Sequence, residues 1–297
     1  MKIVVRLIVA VVAAAGLWTA WEQLPGIGAG ALLHPSRRLV KGAAPDGCVA
    51  RNFAGAGVTL RGWECNPAPS PAVMSPRQAA TIVYLHGVAD NRESAAGVVA
   101  RFLARGYRVI AYDSRAHGES DGNACTYGFY EKDDLRRVID TLPPGPIVLI
   151  GTSLGAAVAL QEAVDDRRVT TIVAAETFSD LRTVATERAP LFFTRGTIER
   201  AFRVAERDAA FEVDQVSPVR AAARIAVPVL LVHGDADIDT PSAHSERVRA
   251  ALKGPSRLIL VPGARHNESL HGAAVWREID EWLERANSTV PQRPLPR

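Results

Sequence analysis

The sequence predicts an α/β fold, a mostly parallel β-sheet with helices on both faces. Short apolar runs recur at residues 81–85, 108–112, 147–150, 170–174, 229–232 and 258–261. Segments with apolar residues at helical spacing alternate with them, and strand-then-helix repetition builds a parallel sheet buried on both sides. Of 297 residues 47% are hydrophobic and 23% charged, near the globular average, which excludes intrinsic disorder, collagen and a long coiled coil. The 35 basic and 32 acidic residues leave a net charge of only +3, mixed along the chain, so no nucleic-acid partner is expected.

Taken in order, the chain opens with residues 1–24, read as an N-terminal membrane anchor or signal peptide. Residues 3–21 are apolar apart from Arg6 and Thr19, and residues 7–18 are uninterrupted. Lys2 precedes the run and Glu22 follows it, which puts the N-terminus in the cytoplasm and the remainder across the membrane. Small residues for a cleavage site occur at Ala13-Ala14-Ala15, inside the run, or at Ala29-Gly30-Ala31, far beyond it. An uncleaved single-span anchor, a cleaved signal and a core helix of the fold all stay open. The first two make the main domain extracytoplasmic, held at the cell membrane or secreted.

The main domain is placed at residues 45–285. Cys48 and Cys65 flank two β-like runs, 49–53 and 58–63, separated by Ala54-Gly55-Ala56-Gly57. A hairpin centred on the glycines sets Cys48 opposite Cys65, as a disulfide or as two buried thiols. Cys125 is left over in a loop, and three cysteines without close pairs speak against a zinc site. After a loop rich in proline (Pro67, Pro69, Pro71, Pro76), strand 81–85 leads to a helix at 93–105 with Val98, Val99, Phe102 and Leu103 at helical spacing. Strand 108–112, helix 130–142, strand 147–150, helix 154–164 and strand 170–174 follow. The rhythm breaks at 180–217, mixed and helical without a strand. It resumes with strand 229–232, a helix after Pro241, strand 258–261 and a helix at 273–285. The tail 286–297, with three prolines, reads as disordered.

In such sheets chemistry gathers at the carboxyl ends of the strands. The residues there are His86-Gly87-Val88, Asp113-Ser114-Arg115, Gly151-Thr152-Ser153-Leu154-Gly155, Glu176, His233-Gly234-Asp235-Ala236-Asp237, and Gly263 to His266. The central signal is the serine between two glycines. A serine on a tight strand-to-helix turn has strained backbone angles, and the residues two before and two after it must lack bulk for the turn to close. The bare pattern arises by chance in roughly one chain in ten of this length. Its position, at the end of an apolar strand and the start of an alanine- and leucine-rich helical segment, gives it weight.

With these motifs the chain resembles the α/β-hydrolase superfamily over residues 58–285, with a flavour of the bacterial group similar to serine aminopeptidases and monoglyceride lipases. His86-Gly87 looks like the family's oxyanion loop, and Asp113-Ser114-Arg115-Ala116-His117-Gly118-Glu119-Ser120 looks like its Asp-x-Arg-x-His-Gly-x-Ser loop. His233-Gly234-Asp235-Ala236-Asp237-Ile238-Asp239-Thr240-Pro241 looks like its His-Gly-x-x-Asp-x-x-x-Pro segment, which carries the triad acid. The resemblance implies Ser153 as nucleophile, Asp237 as acid ahead of Asp235, and His266 as base, in the chain order of that fold. His266 alone follows the last strand by a short loop; His271 is the rival, unless it starts the terminal helix. The backbone N–H groups of Val88 and Leu154 are the expected oxyanion donors. His86 and His233 are expected to be structural, His34, His117 and His244 to be surface or loop residues, and Asn91 to cap the following helix.

Residues 180–217 are expected to form a small helical lid, where Leu191, Phe192, Phe193, Ile198, Phe202 and Phe211 supply apolar surface. The expected activity is cleavage of carboxylic esters through an acyl-enzyme, without metal or cofactor. The expected substrate is a small-molecule ester or a lipid-like one, with the membrane contacted through the N-terminal segment. A serine peptidase or amidase on the same triad is the first alternative. A non-catalytic binding domain of the cell envelope is the second, and the presence of serine, acid and histidine together speaks against it.

Overall fold

The computed structural model describes residues 2–68 and 80–289; side chains of the first helix are described at Arg6, Trp18, Thr19 and from Trp21 onward. Most of the predicted proline-rich loop (Pro69, Pro71, Pro76) and residues 290–297 of the predicted tail lie outside the described residues.

The sheet contains β1 (Cys48–Ala54), β2 (Thr59–Cys65), β3 (Thr81–Leu85), β4 (Arg108–Tyr112), β5 (Ile147–Thr152), β6 (Val169–Ala175), β7 (Val229–Gly234) and β8 (Ser256–Val261). Their spatial order is β1-β2-β4-β3-β5-β6-β7-β8. β1 and β2 form an antiparallel hairpin, β2 lies antiparallel to β4, and every pairing from β4 to β8 is parallel. In the hairpin Cys48 is the direct partner of Cys65. The two are disulfide-bonded, while Cys125 is a buried free thiol.

Eight of the helices are α2 (Ala96–Leu103), α3 (Glu131–Asp140), α4 (Leu154–Glu162), α5 (Leu181–Glu187), α6 (Arg195–Ala209), α7 (Pro218–Ala222), α8 (Ala243–Ala251) and α9 (Ala273–Thr289). All residues of β3 and β7 are buried, because both sheet faces are covered. Leu135 and Ile139 of α3, Leu160 of α4 and Val248 of α8 pack on one face. Val98, Val99 and Phe102 of α2 pack on the other with Ile279 and Leu283 of α9. Each large side chain buried this way contributes about 1.5–3 kcal/mol. α9 does not stop at Arg285: it runs to Thr289, and Ala286 is buried, so the expected tail begins later than the composition suggested.

The remaining helix, α1 (Lys2–Leu33), departs most from the sequence reading. It passes the expected boundary at residue 24, and its last turns belong to the fold. Ala29 and Leu33 are buried with Phe178, Leu181, Phe202 and Phe211 in a third apolar cluster. That cluster is the core of the 180–217 insertion, which holds α5, α6 and a short 3-10 turn at Val213–Gln215. Gly28 sets the spacing between α1 and α6: a Cβ there would lie 2.9 Å from Phe193 Cε1 and 3.2 Å from Ala201 Cβ. The Tyr127 hydroxyl donates to the Leu32 carbonyl at 3.1 Å, and Cys125 N–H donates to the Leu33 carbonyl at 2.8 Å. A glycine- and alanine-rich stretch has no polar and apolar faces to show this packing in advance. Among the described residues no helix is long and apolar enough to cross a membrane.

Candidate active site

β5 ends at Thr152 and α4 begins at Leu154, so Ser153 is the whole turn between them. Its backbone sits at φ 51°, ψ −111°, a strained conformation for a residue with a side chain. The flanking glycines are required by contact. A Cβ on Gly151 would lie 2.4 Å from the Gly155 carbonyl, and one on Gly155 would lie 2.2 Å from the Leu85 carbonyl oxygen. Substituting Gly151 would force α4 away from β5, and substituting Gly155 would force it away from β3.

Ser153 Oγ lies 3.0 Å from His266 Nε2, and His266 Nδ1 lies 2.7 Å from Asp237 Oδ2. The serine comes from the β5–α4 turn, the aspartate from the loop after β7 and the histidine from the loop after β8. Asp237 is held by more than the histidine. Its Oδ1 accepts from the backbone N–H of Asp239 at 3.0 Å and of Thr240 at 2.9 Å. His233 Nε2 donates to the Thr240 carbonyl at 2.7 Å and lies 3.3 Å from Asp237 Oδ2. Burial pushes the Asp237 carboxyl up, but His233, His266 and the Thr240 N–H outweigh it and hold the group well below the usual carboxylate range. Asp237 is therefore ionised at neutral pH and accepts the imidazole N–H.

The other candidates point elsewhere. Asp235 Oδ1 accepts from Gly263 N–H at 2.7 Å and so pins the start of the histidine loop. Asp239 is exposed, as is His271, which lines a separate cavity with Asp90, Arg101 and Trp276. Sequence reasoning placed Glu176 at the sheet edge without a role. It is buried at φ 55° and takes two backbone amides of the histidine loop, Asn267 N–H at 2.6 Å and Ser269 N–H at 2.9 Å.

The loop after β3 passes close to the serine: a Cβ on Gly87 would lie 3.6 Å from Ser153 Cβ. Beneath it, His86 Nε2 accepts from Ser114 N–H at 2.9 Å while Nδ1 donates to the Gly87 carbonyl at 2.7 Å. Burial lowers the His86 pKa, so this ring is a neutral strut that fixes the turn before Val88. Leu154 is the first residue of α4, where a helix N–H has no acceptor within its own helix. Asp113, expected only as part of a family motif, accepts from Arg92 N–H at 2.7 Å and Glu119 N–H at 2.9 Å and pairs with the Arg92 guanidinium. A Cβ on Gly118 would fall 2.2 Å from its Oδ2, which accounts for the glycine. Asn91 accepts from Glu93 N–H at 2.8 Å, as a cap. His117 and His244 are buried rather than at the surface; His244 Nε2 meets Glu187 of α5 at 2.7 Å.

A cavity of about 610 Å³ opens from this edge, with Val88 and Ala89 of the β3 loop in its wall. Leu24, Ile27 and Leu32 of α1 face Val184, Phe193 and Phe202 of the insertion across it. Sequence reasoning foresaw the insertion's apolar surface but not that α1 supplies the opposing wall. Among the described residues no group of three or more His, Cys, Asp or Glu could hold a metal ion.

Residues 80–213 match the family described as alpha/beta hydrolase fold, and residues 204–293 match the one described as TAP-like protein. YfhR of Escherichia coli (strain K12) is 30% identical over 233 residues, covering 75% of each chain. The chain belongs to the α/β-hydrolase superfamily. YqkD of Bacillus subtilis (strain 168) is 27% identical over 257 residues, covering 79% of this chain and 78% of its own. Among solved structures, Pyrococcus furiosus esterase Pf2001 superposes with a TM-score of 0.67 at 22% identity, covering 85% of this chain and 98% of the esterase. That likeness concerns the fold. Membership of a superfamily with esterase and peptidase neighbours supports a hydrolase.

Proposed function

We propose that the protein is a serine hydrolase of carboxylic esters with an apolar acyl group. What carries this reading is the continuous Asp237–His266–Ser153 hydrogen-bonded chain, with the β3 loop that passes Ser153 at Gly87 going on to line an apolar cavity at Val88 and Ala89. Ser153 Oγ attacks the ester carbonyl while His266 Nε2 takes its proton, and the imidazolium is stabilised by Asp237. The tetrahedral oxyanion lies against the N–H groups of Val88 and Leu154. Its collapse breaks the bond to the alcohol, which takes the proton from His266 and leaves an acyl-Ser153. Water, deprotonated by His266, then releases the acid. A wall that is apolar except for Arg188 and Tyr127 offers few partners for a peptide backbone, which supports an ester over an amide.

The same reading has the domain outside the cytoplasm, held by the apolar sequence run at residues 3–21 as a single span, most of whose side chains lie outside the described ones; the Lys2-before, Glu22-after charge order supports it. The deciding test is labelling by a fluorophosphonate probe together with turnover of a p-nitrophenyl ester series, in the wild type and in Ser153→Ala. Loss of both in the variant is expected. Labelling retained in Ser153→Ala removes the nucleophile. An export-dependent reporter fused after residue 60 should be active; activity confined to the cytoplasm overturns the location.

A further inference from the structure

We propose that the acyl cavity opens onto the lipid surface, so that a long-chain ester enters laterally from the leaflet next to α1; this rests on the serine-hydrolase reading of Ser153. The cavity wall is built from the helix that begins in the apolar N-terminal segment and from the connection between α5 and α6. Both elements carry apolar side chains into solvent. Trp18 is 67% exposed, Ile27 60%, Leu191 106% and Phe192 63%. Ile27 and Phe192 have a double position: each lines the cavity, and each is exposed outside it. At Ile27 and Phe192 the apolar lining is thus continuous with the apolar surface, and Arg188, exposed, is the charged residue of the lining. A monomeric protein that leaves such a patch open is marked for a partner or a membrane at that place.

Three features select a bilayer. α1 rises about 1.5 Å per residue, so Ile27 lies only about 9 Å along the axis from Trp21, which puts the opening within the headgroup layer when the tryptophans sit at the interface. The uninterrupted apolar run at 7–18 lies on the same helix, N-terminal to the turns that line the cavity. Arg188 and Arg195, both exposed, flank the Leu191-Phe192 tip, as suits contact with anionic headgroups. The occupant is therefore the acyl chain of a membrane-resident, single-chain amphiphilic ester, whose carbonyl reaches Ser153 past Val88 while its polar alcohol stays on the solvent side. Roughly 300–1,000 Å³ is the usual range for a site that buries such a ligand, and about 610 Å³ falls inside it.

The test uses the full chain with phosphatidylglycerol–phosphatidylcholine vesicles. p-Nitrophenyl palmitate dissolved in the vesicles is compared with p-nitrophenyl butyrate in water, for the wild type and for Trp18→Asp/Leu191→Asp. Neither residue lines the cavity, so butyrate turnover should stay within about twofold, while vesicle-borne palmitate turnover should fall by about tenfold or more, since two charges are carried into the interface. Equal palmitate turnover in both proteins overturns the proposal, as does a wild type that cleaves butyrate but gains nothing from vesicles. A wild type that neither cleaves butyrate nor takes a fluorophosphonate label removes the hydrolase reading itself. As a measurement independent of that variant's folding, Leu191→Cys can be labelled with an environment-sensitive dye, because Cys48 and Cys65 are disulfide-bonded and Cys125 is buried. Quenching of the dye by brominated lipid is expected, and its absence overturns the proposal.

Discussion

Glu176, at the end of β6, accepts the backbone N–H of Asn267, the residue after His266, at 2.6 Å. Its second oxygen accepts from Ser269 N–H at 2.9 Å, so one buried carboxylate fastens both sides of the turn that carries the histidine. Both Glu176, at φ 55°, and Asn267, at φ 66°, occupy the left-handed region, which costs about 1–3 kcal/mol for each non-glycine residue. The two hydrogen bonds to a charged acceptor offset that cost and position His266 between Ser153 and Asp237.

Glu176→Gln keeps one acceptor oxygen but turns an NH₂ towards a backbone donor. As a positioning residue, Glu176 should show its loss in kcat, by about tenfold to a hundredfold, because small displacements of a reacting group are costly. KM for a short p-nitrophenyl ester should change little, as Glu176 does not line the acyl cavity. Steady-state kinetics on the folded variant check this, and a rise in KM at constant kcat would contradict it.

The choice of carboxylate is separately testable. Asp237→Asn preserves shape but can donate where Asp237 accepts, which favours the wrong imidazole tautomer; the corresponding change in a serine protease costs about 10⁴ in kcat. Asp235→Asn loses only part of its hold on Gly263 N–H, and Asp239 is exposed, so each should cost about tenfold or less through a screened medium. His266→Ala should match Ser153→Ala, whereas His271→Ala should stay near wild type. Measuring kcat for all of these on one activated ester decides between them. A large loss in Asp235→Asn alone would reassign the acid.

Local rules and short-range pattern made much of this legible. The strands at 81–85 and 108–112 announce themselves as apolar runs because both their faces are covered. The Gly151 and Gly155 pair is legible because the close approach to Gly155 and Leu85 tolerates nothing larger. The rest depended on contacts distant in the chain. Glu176 acts on residues about ninety positions later, and no local pattern encodes that. The last turns of α1 pack as Gly28, Ala29 and Leu33 against α6, a surface that in sequence is indistinguishable from an apolar segment with a different destination. His117, in a loop, and His244, in the first turn of α8, have polar-looking surroundings in sequence and are buried by partners that only the folded chain assembles.

The Cys48–Cys65 disulfide closes the hairpin at the antiparallel edge of the sheet, seventeen residues apart. A loop of that length lowers the entropy of the unfolded chain by about 3 kcal/mol on the chain-entropy account. Cys48→Ser/Cys65→Ser should therefore lose about 2–4 kcal/mol in urea unfolding while kcat on a short ester stays near wild type, since the hairpin is remote from Ser153. Adding reductant should shift the wild-type curve towards the variant and leave the variant unmoved. A reductant-insensitive wild type would show that the bridge contributes no stability.

Glu162, the last residue of α4, gives a pH-dependent prediction. Its side chain is fully buried, both carboxyl oxygens lack a hydrogen-bond partner, and Arg136 Nε stands 3.6 Å away. Burial, with the Asp166 charge adding to it against Arg136 and Arg168, raises its pKa from 4.5 to about 7. Below pH 4.5 the carboxyl is protonated whether the chain is folded or not, and no penalty exists. Between 4.5 and about 7 the unfolded chain has released the proton while the folded one keeps it, so stability falls as pH rises; above about 7 the penalty is complete. At about 1.4 kcal/mol per pH unit that interval corresponds to about 3 kcal/mol. Glu162→Met removes the charge and keeps the volume, and Arg136, 40% exposed, can turn to water. The variant should be more stable than the wild type by about 1–3 kcal/mol at pH 8, with an advantage that shrinks steadily towards pH 5. Urea unfolding of both proteins across that range reads the difference directly. A constant difference from pH 5 to pH 8 would mean that Glu162 does not titrate between folded and unfolded states as its burial requires.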